Sequence, residues 1–412
     1  MKALVLLAAC SAFAGDTAFT AIQKAADSGS ADLQSRIEAL PQGSENVAKG
    51  TFVVSEGPMF VFAVKAASQP TLVLDDSPSG QSRRIKDTDL WVTTAKLQTS
   101  RTHNFHYLID GKVFGGRNDV PAFGPYSYER PGAPVGKLSE KMVHSSKIYP
   151  GLNSDWWLYV PAQYDAAKPA AVMVWQDGQS YVAREGSRAQ IVFDNLTHEK
   201  KIPVMIHVFI APGKVGEKAL RSIQYDTVDD TYPRFIRDEI LPEVAAKYSI
   251  RKDGYSRAIA GNSSGGICAF NGAWQMPGEF SRVLSRIGSF TSIQWRPGQL
   301  EGGNVYPFKV RKEPKRNIRV WLQDGSGDLE NNHGSWPLQN IQMANSLKLR
   351  EYDYFLSWGN GTHNGAGGNA ELAEEMIWLW RDYAPAKTEQ PFAADPAEKD
   401  KPYYRIKALN RQ

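Results

Sequence analysis

The sequence predicts an α/β protein in which a mostly parallel sheet, covered by helices, follows a small all-β sandwich. Two observations carry this prediction. In residues 134–390, short and nearly continuous apolar segments alternate with amphipathic stretches, which is typical of parallel strands separated by helices. In residues 49–133, short apolar runs are instead separated by turn residues such as Asp-Gly and Ser-Gly. That pattern favours antiparallel strands packed as a sandwich.

The larger region supplies the clearest elements. The predicted strands are residues 154–161, 170–177, 202–210, 256–262, 317–324 and 353–359. The predicted helices are residues 232–248, 264–275, 338–349 and 371–383. Because strands and helices alternate along the chain, the strands are expected to lie parallel in one sheet with helices on both faces.

The flanking segments are simpler. Residues 15–48 are predicted to form a helical linker with one helix over 31–40, whose apolar residues Leu33, Ile37 and Leu40 share a face. The sandwich is assigned runs at 51–56, 59–66, 70–76, 89–97 and 104–114. Residues 391–412 are rich in charged residues and proline, so we expect a mobile tail.

Composition excludes several classes of protein. The 412 residues carry 48 Lys and Arg against 44 Asp and Glu, a net charge of +4 that is too small for the basic surface of a nucleic-acid binder. The two cysteines are Cys10 and Cys268, so neither a disulfide framework nor a structural zinc site is expected. No apolar run after the N-terminus is long enough for a transmembrane segment. Oligomeric state is left open.

The N-terminus predicts export. Residues 1–14 contain one lysine, an apolar run and the small-residue site Ala12-Phe13-Ala14, which is the order of a secretory signal peptide. Leu7-Ala8-Ala9-Cys10 permits a second interpretation, lipidation at Cys10 of a bacterial lipoprotein, although nine residues before the cysteine are few for such a signal. We therefore expect a secreted or periplasmic protein.

The chemistry is concentrated at Gly261-Asn262-Ser263-Ser264-Gly265. A predicted strand, a G-x-S-x-G motif and a predicted helix follow one another here, which is the nucleophile elbow of α/β-hydrolases. Ser263 has glycines at both required positions, whereas Ser264 has Asn262 where a glycine is needed. The sequence therefore predicts Ser263 as a nucleophile.

A serine nucleophile needs a base and an orienting acid, which follow it in the order serine, acid, histidine. His363 is the predicted base because it lies in a glycine-rich loop directly after the last strand. His333, in a polar loop, is instead a candidate substrate contact. The acid is expected at the end of strand 317–324 or in the loop after it: Asp328 is the first choice, Asp324 the second and Glu330 the third.

The backbone N–H groups of Ser264 and Gln179 are the predicted oxyanion hole, since one follows the nucleophile and the other lies in the loop after strand 170–177. Trp295, Trp336, His333, Asp177 and Arg221 are candidate substrate contacts. For each tryptophan the alternative is core packing, and for Arg221 the alternative is a structural ion pair.

Several segments resemble the enterochelin-esterase-like branch of the carbohydrate esterase family 1 and putative-esterase group. They are the segments 147–150, 156–165, 172–181, 221–226, 232–243, 258–266, 287–290, 320–338 and 358–364. The resemblance implies a Ser263, Asp328 and His363 triad, the donors Gln179 and Ser264, and an N-terminal domain that is immunoglobulin-like or like a carbohydrate-binding module.

The resemblance also implies a carboxylic ester hydrolase that needs neither a metal nor an organic cofactor. Its substrate is expected to be a feruloyl or acetyl ester of a plant polysaccharide. Hydrolysis of a siderophore trilactone is the alternative, and a non-catalytic carbohydrate-binding protein on a hydrolase fold is the alternative of another class.

Overall fold

The computed structural model describes residues 17–399. The predicted signal peptide and the lipidation alternative at Cys10 lie outside the described residues, as does the end of the predicted tail. The chain divides into two compact units, the first ending at Pro125 and the second beginning at Tyr126. The division therefore falls at residue 125, whereas composition placed it at 133.

The first unit has helices followed by short strands. Its helices are α1 (Ala18–Ser28), α2 (Leu33–Glu38) and α3 (Gly43–Lys49). Its strands are β1 (Phe52–Glu56), β2 (Met59–Lys65), β3 (Thr71–Leu74), β4 (Ser77–Gln81), β5 (Arg83–Arg84), β6 (Leu90–Lys96), β7 (Arg101–Ile109) and β8 (Lys112–Ala122). The predicted helix over 31–40 corresponds to α2, whereas α1 and α3 were not predicted.

Two antiparallel sheets form in this unit, in the orders β1-β2-β6-β5 and β4-β3-β7-β8. Phe60 and Phe62 of β2 pack with Phe105 of β7, so the two sheets share one apolar core. Alternate residues of β1 and β2 face α1, α2 and α3 instead. The first sheet is therefore covered on both faces. Its immunoglobulin-like classification stays a prediction.

The second unit has alternating strands and helices. Its strands are β9 (Lys137–Leu138), β10 (Met142–Ser145), β11 (Leu152–Val160), β12 (Ala171–Gln176), β13 (Met205–Ile210), β14 (Lys214–Val215), β15 (Lys218–Ala219), β16 (Arg257–Asn262), β17 (Arg282–Arg286), β18 (Arg319–Gly325), β19 (Glu330–Asn331), β20 (Gly334–Ser335) and β21 (Asp353–Gly359). Its helices are α4 (Arg184–Ser187), α5 (Ala189–His198), α6 (Arg221–Asp226), α7 (Thr231–Phe235), α8 (Leu241–Ala245), α9 (Ser264–Gln275), α10 (Tyr306–Lys312), α11 (Trp336–Leu349), α12 (Ala366–Trp380) and α13 (Pro396–Lys399).

One large sheet organises this unit in the order β15-β14-β11-β13-β12-β16-β17-β18-β21. The strands from β13 to β21 in that order pair in parallel, and β11 pairs antiparallel to β13. Along β12, Val172 and Val174 enter the core on one face, and Met173 and Trp175 enter the core on the other. Helices cover both faces, which explains why these strands are apolar at nearly every position.

Three features of this unit differ from the prediction. Strand β17 was not predicted, although it lies between β16 and β18. The predicted helix 232–248 is divided into α7, a π-helical turn at Ile236–Ile240, and α8. Phe392, placed in a mobile tail, is buried, and its N–H donates to Asn317 Oδ1 at 2.8 Å. The reason is packing, because its ring contacts two buried guanidinium groups.

Within residues 17–399, no helix is long and apolar enough to cross a membrane.

Candidate active site

Ser263 lies on a sharp turn between β16 and α9. Its φ is 59° and its ψ is −123°, a strained conformation for a residue with a side chain. The glycines around it allow this turn. A Cβ on Gly261 would lie 2.4 Å from the Gly265 carbonyl carbon, and one on Gly266 would lie 2.9 Å from the Arg286 oxygen. The backbone therefore requires glycine on both sides of a serine whose hydroxyl is lifted out of the sheet.

His363 contacts both Ser263 and Asp328. Its Nε2 is 2.7 Å from Ser263 Oγ, and its Nδ1 is 2.5 Å from Asp328 Oδ1. The Asp328 side chain is fully buried, whereas the imidazole is 17% exposed. The imidazole is therefore partly accessible to solvent, whereas the carboxylate is shielded from water.

The loops after β18 and β21 bring the acid and the histidine together. Ser326 N–H donates to the Gly359 carbonyl at 2.9 Å, and Gly327 N–H donates to the Gly361 carbonyl at 3.1 Å. A Cβ on Gly325 would lie 2.6 Å from the Gly361 backbone. Glycines on both loops thus permit the close backbone approach that places Asp328 beside His363.

The other two candidate acids lie elsewhere. Asp324 is fully buried, its Oδ1 accepts the Gly325 N–H at 2.7 Å, and it is not the hydrogen-bond partner of His363. Burial, followed by the neighbouring Asp328 carboxylate, raises the pKa of Asp324 well above its usual value. Glu330 is exposed on β19, where it pairs with Ser335. Of the three, only Asp328 is hydrogen-bonded to the imidazole.

The loop after β12 lies against the start of α9. Gln179 belongs to a short 3₁₀-helix at Gly178–Tyr181, and the preceding Asp177 has φ 55°. A Cβ on Gly265 would lie 3.1 Å from Gln176 Cβ and 3.2 Å from Asp177 Oδ2. Ser264 begins α9, so its N–H belongs to the first turn of a helix, whose amides have no intrahelical acceptor. The two segments predicted to supply oxyanion donors are therefore neighbours.

Asp177 and Arg221 bind each other. The guanidinium donates to the two carboxylate oxygens at 2.7 Å each, and more weakly to the Asn262 carbonyl at 3.4 Å. The pair therefore holds α6 beside the elbow. Its charges are compensated internally, which is the structural ion pair considered as the alternative to substrate binding.

The two tryptophans differ in exposure. Trp336 is 3% exposed, and its ring lies edge-on to the His363 ring with a centroid distance of 5.6 Å. It therefore packs behind the histidine. Trp295 is 53% exposed on the loop between β17 and α10. His333 is half-buried, and its carbonyl accepts the Ser292 N–H at 2.9 Å. Of the tryptophans, only Trp295 has a ring surface open to a ligand.

Two further residues lie at the site, of which Ser289 was not predicted. Ser289 Oγ lies 3.3 Å from Ser263 Oγ, and Asp226 is a buried carboxyl that accepts a hydrogen bond from Ser222 at 2.7 Å. Burial raises the pKa of Asp226 to about 6. The segment Ile287–Phe290 was noted only through its resemblance to a family, because a serine after a glycine carries no local signal of its own.

The chain is similar in sequence to two curated esterases. The iron(III) enterobactin esterase of Escherichia coli K12 is 25% identical over 276 residues, which cover 62% of this chain and 59% of the relative. An endo-1,4-beta-xylanase/feruloyl esterase of Xylanibacter ruminicola is 23% identical over 299 residues, which cover 66% of this chain and 38% of that protein. The chain thus spans less than two thirds of the length of these curated relatives.

Two solved structures have related folds. The enterobactin esterase of Shigella flexneri, crystallised in the presence of enterobactin, aligns with a TM-score of 0.54 at 18% identity, over 78% of this chain and 93% of that one. The ferric enterobactin esterase of Salmonella typhimurium aligns with a TM-score of 0.55 at 16% identity, over 83% of this chain and 99% of that one. A family model described as Putative esterase matches residues 152–379, more than half of the chain. The chain therefore belongs to the putative esterase family of ester hydrolases.

Proposed function

We propose that this protein is a serine esterase that hydrolyses carboxylic esters through a covalent acyl-enzyme, with Ser263, His363 and Asp328 as its triad. One observation carries the proposal. His363 lies between a strained serine and a buried carboxylate, within 2.7 Å of one and 2.5 Å of the other. A serine hydroxyl is a weak nucleophile unless a base within hydrogen-bond distance removes its proton, and this arrangement supplies that base.

The proposed cycle begins with the tautomer of His363. Its Nδ1–H donates to Asp328, which leaves the Nε2 lone pair directed at Ser263 Oγ. As Oγ attacks the ester carbonyl, Nε2 takes its proton and the imidazolium is stabilised by the carboxylate. The negative charge on the carbonyl oxygen is assigned to the N–H groups of Ser264 and Gln179.

The tetrahedral intermediate then expels the alcohol, which takes the proton from Nε2. A water molecule attacks the acyl-enzyme and gives a proton to the same nitrogen. The bond between the acyl carbon and Ser263 Oγ then breaks, Oγ takes that proton from Nε2, and the acid is released. Every step uses groups of this chain and water, so the cycle needs neither a metal nor an organic cofactor.

We further propose an aromatic or acetyl ester of a plant polysaccharide as the substrate. Trp295 presents an open ring six residues after Ser289, and a flat aromatic surface suits a hydroxycinnamoyl group or a sugar ring. The nearby Arg221 is neutralised by Asp177, so it offers little to a polyanion. A siderophore trilactone is the second candidate. It is favoured by the 25% identity to an iron(III) enterobactin esterase.

Replacement of the nucleophile tests the activity. We expect Ser263→Ala to lower kcat on a p-nitrophenyl ester by about four to six orders of magnitude, because the acyl-enzyme can no longer form. Circular dichroism and Tm serve as the control for folding. Labelling by a fluorophosphonate probe separates the esterase from a non-catalytic binding protein, since only an activated serine reacts. Wild-type turnover in the variant would contradict the proposal.

A panel of esters tests the substrate. Methyl ferulate, acetylated xylan, p-nitrophenyl acetate and enterobactin are compared by kcat/KM in the wild type and in Trp295→Ala. We expect the variant to lose activity on methyl ferulate and to keep it on p-nitrophenyl acetate, which lacks a hydroxycinnamoyl group. A preference for enterobactin in the wild type would favour the second candidate.

A further inference from the structure

A second hydroxyl group contacts the nucleophile. Ser289 lies on the loop after β17 and is 1% exposed. Its N–H donates to the Ser263 carbonyl at 3.1 Å, and its Oγ is 3.3 Å from Ser263 Oγ. The backbone contact fixes the position of Ser289, so the two hydroxyl groups are held against each other by the parallel pairing of β16 and β17.

Trp336 donates a hydrogen bond to the hydroxyl group of Ser289. Its indole Nε1–H donates to Ser289 Oγ at 3.1 Å, and an indole nitrogen can only donate. The ring is held edge-on against His363. Ser289 Oγ therefore accepts one hydrogen bond from a rigid donor and keeps its own proton for a different partner.

Asp328 fixes the donor and acceptor roles of His363 and therefore those of Ser263. A carboxylate can only accept, so His363 donates to it from Nδ1 and accepts at Nε2. Ser263 must then give its proton to Nε2. Because that proton is committed, the remaining contact between the two hydroxyl groups is made by the proton of Ser289. The chain of hydrogen bonds runs in one direction, from Trp336 through Ser289, Ser263 and His363 to Asp328.

We propose that Ser289 is a catalytic residue that donates a hydrogen bond to the nucleophilic oxygen of Ser263. The inference rests on the proposed function and deepens it. The bond holds Oγ in the rotamer that faces His363, and it stabilises the negative charge that develops on Oγ as the proton leaves. One lone pair of Oγ accepts from Ser289, and the other stays free to attack the ester carbonyl.

No proton leaves Ser289 during the cycle. In acylation the Ser263 proton passes to Nε2 and Oγ bonds to the acyl carbon. In deacylation that bond breaks and Oγ recovers a proton from Nε2. The hydrogen bond from Ser289 persists in both steps, so it stabilises Oγ both as the attacking group and as the leaving group.

The test compares Ser289→Ala, Trp336→Phe and the double variant. Hydrogen bonds to charged groups are the strong ones, so we expect Ser289→Ala to lose about tenfold to a hundredfold in kcat on p-nitrophenyl acetate with KM little changed. The rate constant for fluorophosphonate labelling should fall to a similar extent, which a merely structural role would not cause. Trp336→Phe keeps the ring beside His363 but removes the donor, so a smaller loss is expected.

The double variant gives the sharpest readout. If the three residues form one chain, Trp336→Phe should add little in the Ser289→Ala background, because the indole N–H then has no acceptor to orient. Additive losses, or wild-type labelling by Ser289→Ala, would overturn the inference. If Ser289→Ala fails to fold, Trp336→Phe decides by its labelling rate, and an unchanged rate overturns the inference.

Ser263→Ala, run in parallel, tests the proposed function itself. Turnover and labelling that survive in Ser263→Ala mean that the function is misassigned. Their loss in Ser263→Ala together with normal rates in Ser289→Ala means that only the role of Ser289 is wrong.

Discussion

Asp324 lies near the end of β18 and Asp328 lies in the loop after it, but their carboxyl groups have different surroundings. Asp328 is hydrogen-bonded to a histidine, whereas Asp324 is enclosed by protein with the Asp328 carboxyl group near it. Two adjacent buried carboxyl groups cannot both ionise without a counterion, and the imidazole faces Asp328. Asp324 therefore carries the proton.

These surroundings predict different effects for three matched substitutions. Asp328→Asn should lower kcat by about 10⁴-fold, because an amide no longer holds the tautomer that leaves Nε2 free. Asp324→Asn should stay within a few fold of the wild type, since an amide can still accept from Gly325 and donate to Asp328. Glu330→Gln, on the exposed β19, should have no effect. A larger loss of kcat in Asp324→Asn than in Asp328→Asn would reverse the assignment.

At this scale, the local sequence best predicted the tight turn that carries Ser263. Ser263 is recognisable because the glycines that its strained turn requires are adjacent to it in the chain. His363 and Asp328 were reached through chain order, since their contact depends on two loops far apart in sequence. Ser289 could not be predicted, because its contact with Ser263 exists only once β17 pairs with β16.

At the scale of elements, the strands most accessible to sequence reasoning were those with continuous apolar residues. Strand β17 was not predicted because Arg282 and Arg286 lie at its two ends. Both arginines are buried, 0% and 1% exposed. Arg286 is compensated by Glu375 of α12, with its Nε 3.0 Å from each carboxylate oxygen. Charged residues at the ends of a segment usually indicate exposure to solvent. Here the burial of Arg286 is explained only by Glu375, which is far away in the sequence.

The buried pair between β17 and α12 makes a prediction about stability. Glu375→Leu leaves the Arg286 charge buried without its partner, so we expect the free energy of unfolding to fall by about 3–5 kcal/mol. The double variant Arg286→Met with Glu375→Leu should recover most of that loss, because two apolar side chains replace two charges. Urea unfolding measures both. Equal destabilisation by the single and double variants would contradict this account.

At the scale of the whole molecule, alternating patterns predicted the class of each unit better than its limits. The helices α1 and α3 of the first unit were missed although both are longer than α2, and they gain stability by packing on β1 and β2. The tail is predicted to begin at residue 391, yet Phe392 is buried. Its burial depends on arginines that come from distant strands.

The carboxyl group of Glu371, on α12, makes the stability of the protein depend on pH. It is buried, and its side chain is hydrogen-bonded to the Ser357 hydroxyl at 2.5 Å. Burial, with the negative charge of Glu375 as a second cause, raises the pKa of Glu371 to about 8. In an unfolded chain a glutamate has a pKa of about 4.3. Between these values the folded protein holds a proton that the unfolded chain releases.

The free energy of unfolding should therefore fall as pH rises from about 4.3 to 8, by at most about 1.4 kcal/mol for each pH unit. The contribution of Glu371 is fully present below the lower value and is lost as pH rises through the higher one. Glu371→Gln binds no proton at this position in either state. The Tm of the variant minus the Tm of the wild type should therefore increase as pH rises from 5 to 8. Glu217→Gln, at an exposed carboxyl, is the matched control and should follow the wild type at every pH. If the curves of Tm against pH for Glu371→Gln and the wild type are parallel, Glu371 is ionised in the folded protein and α12 carries a buried charge that Arg286 must compensate together with that of Glu375.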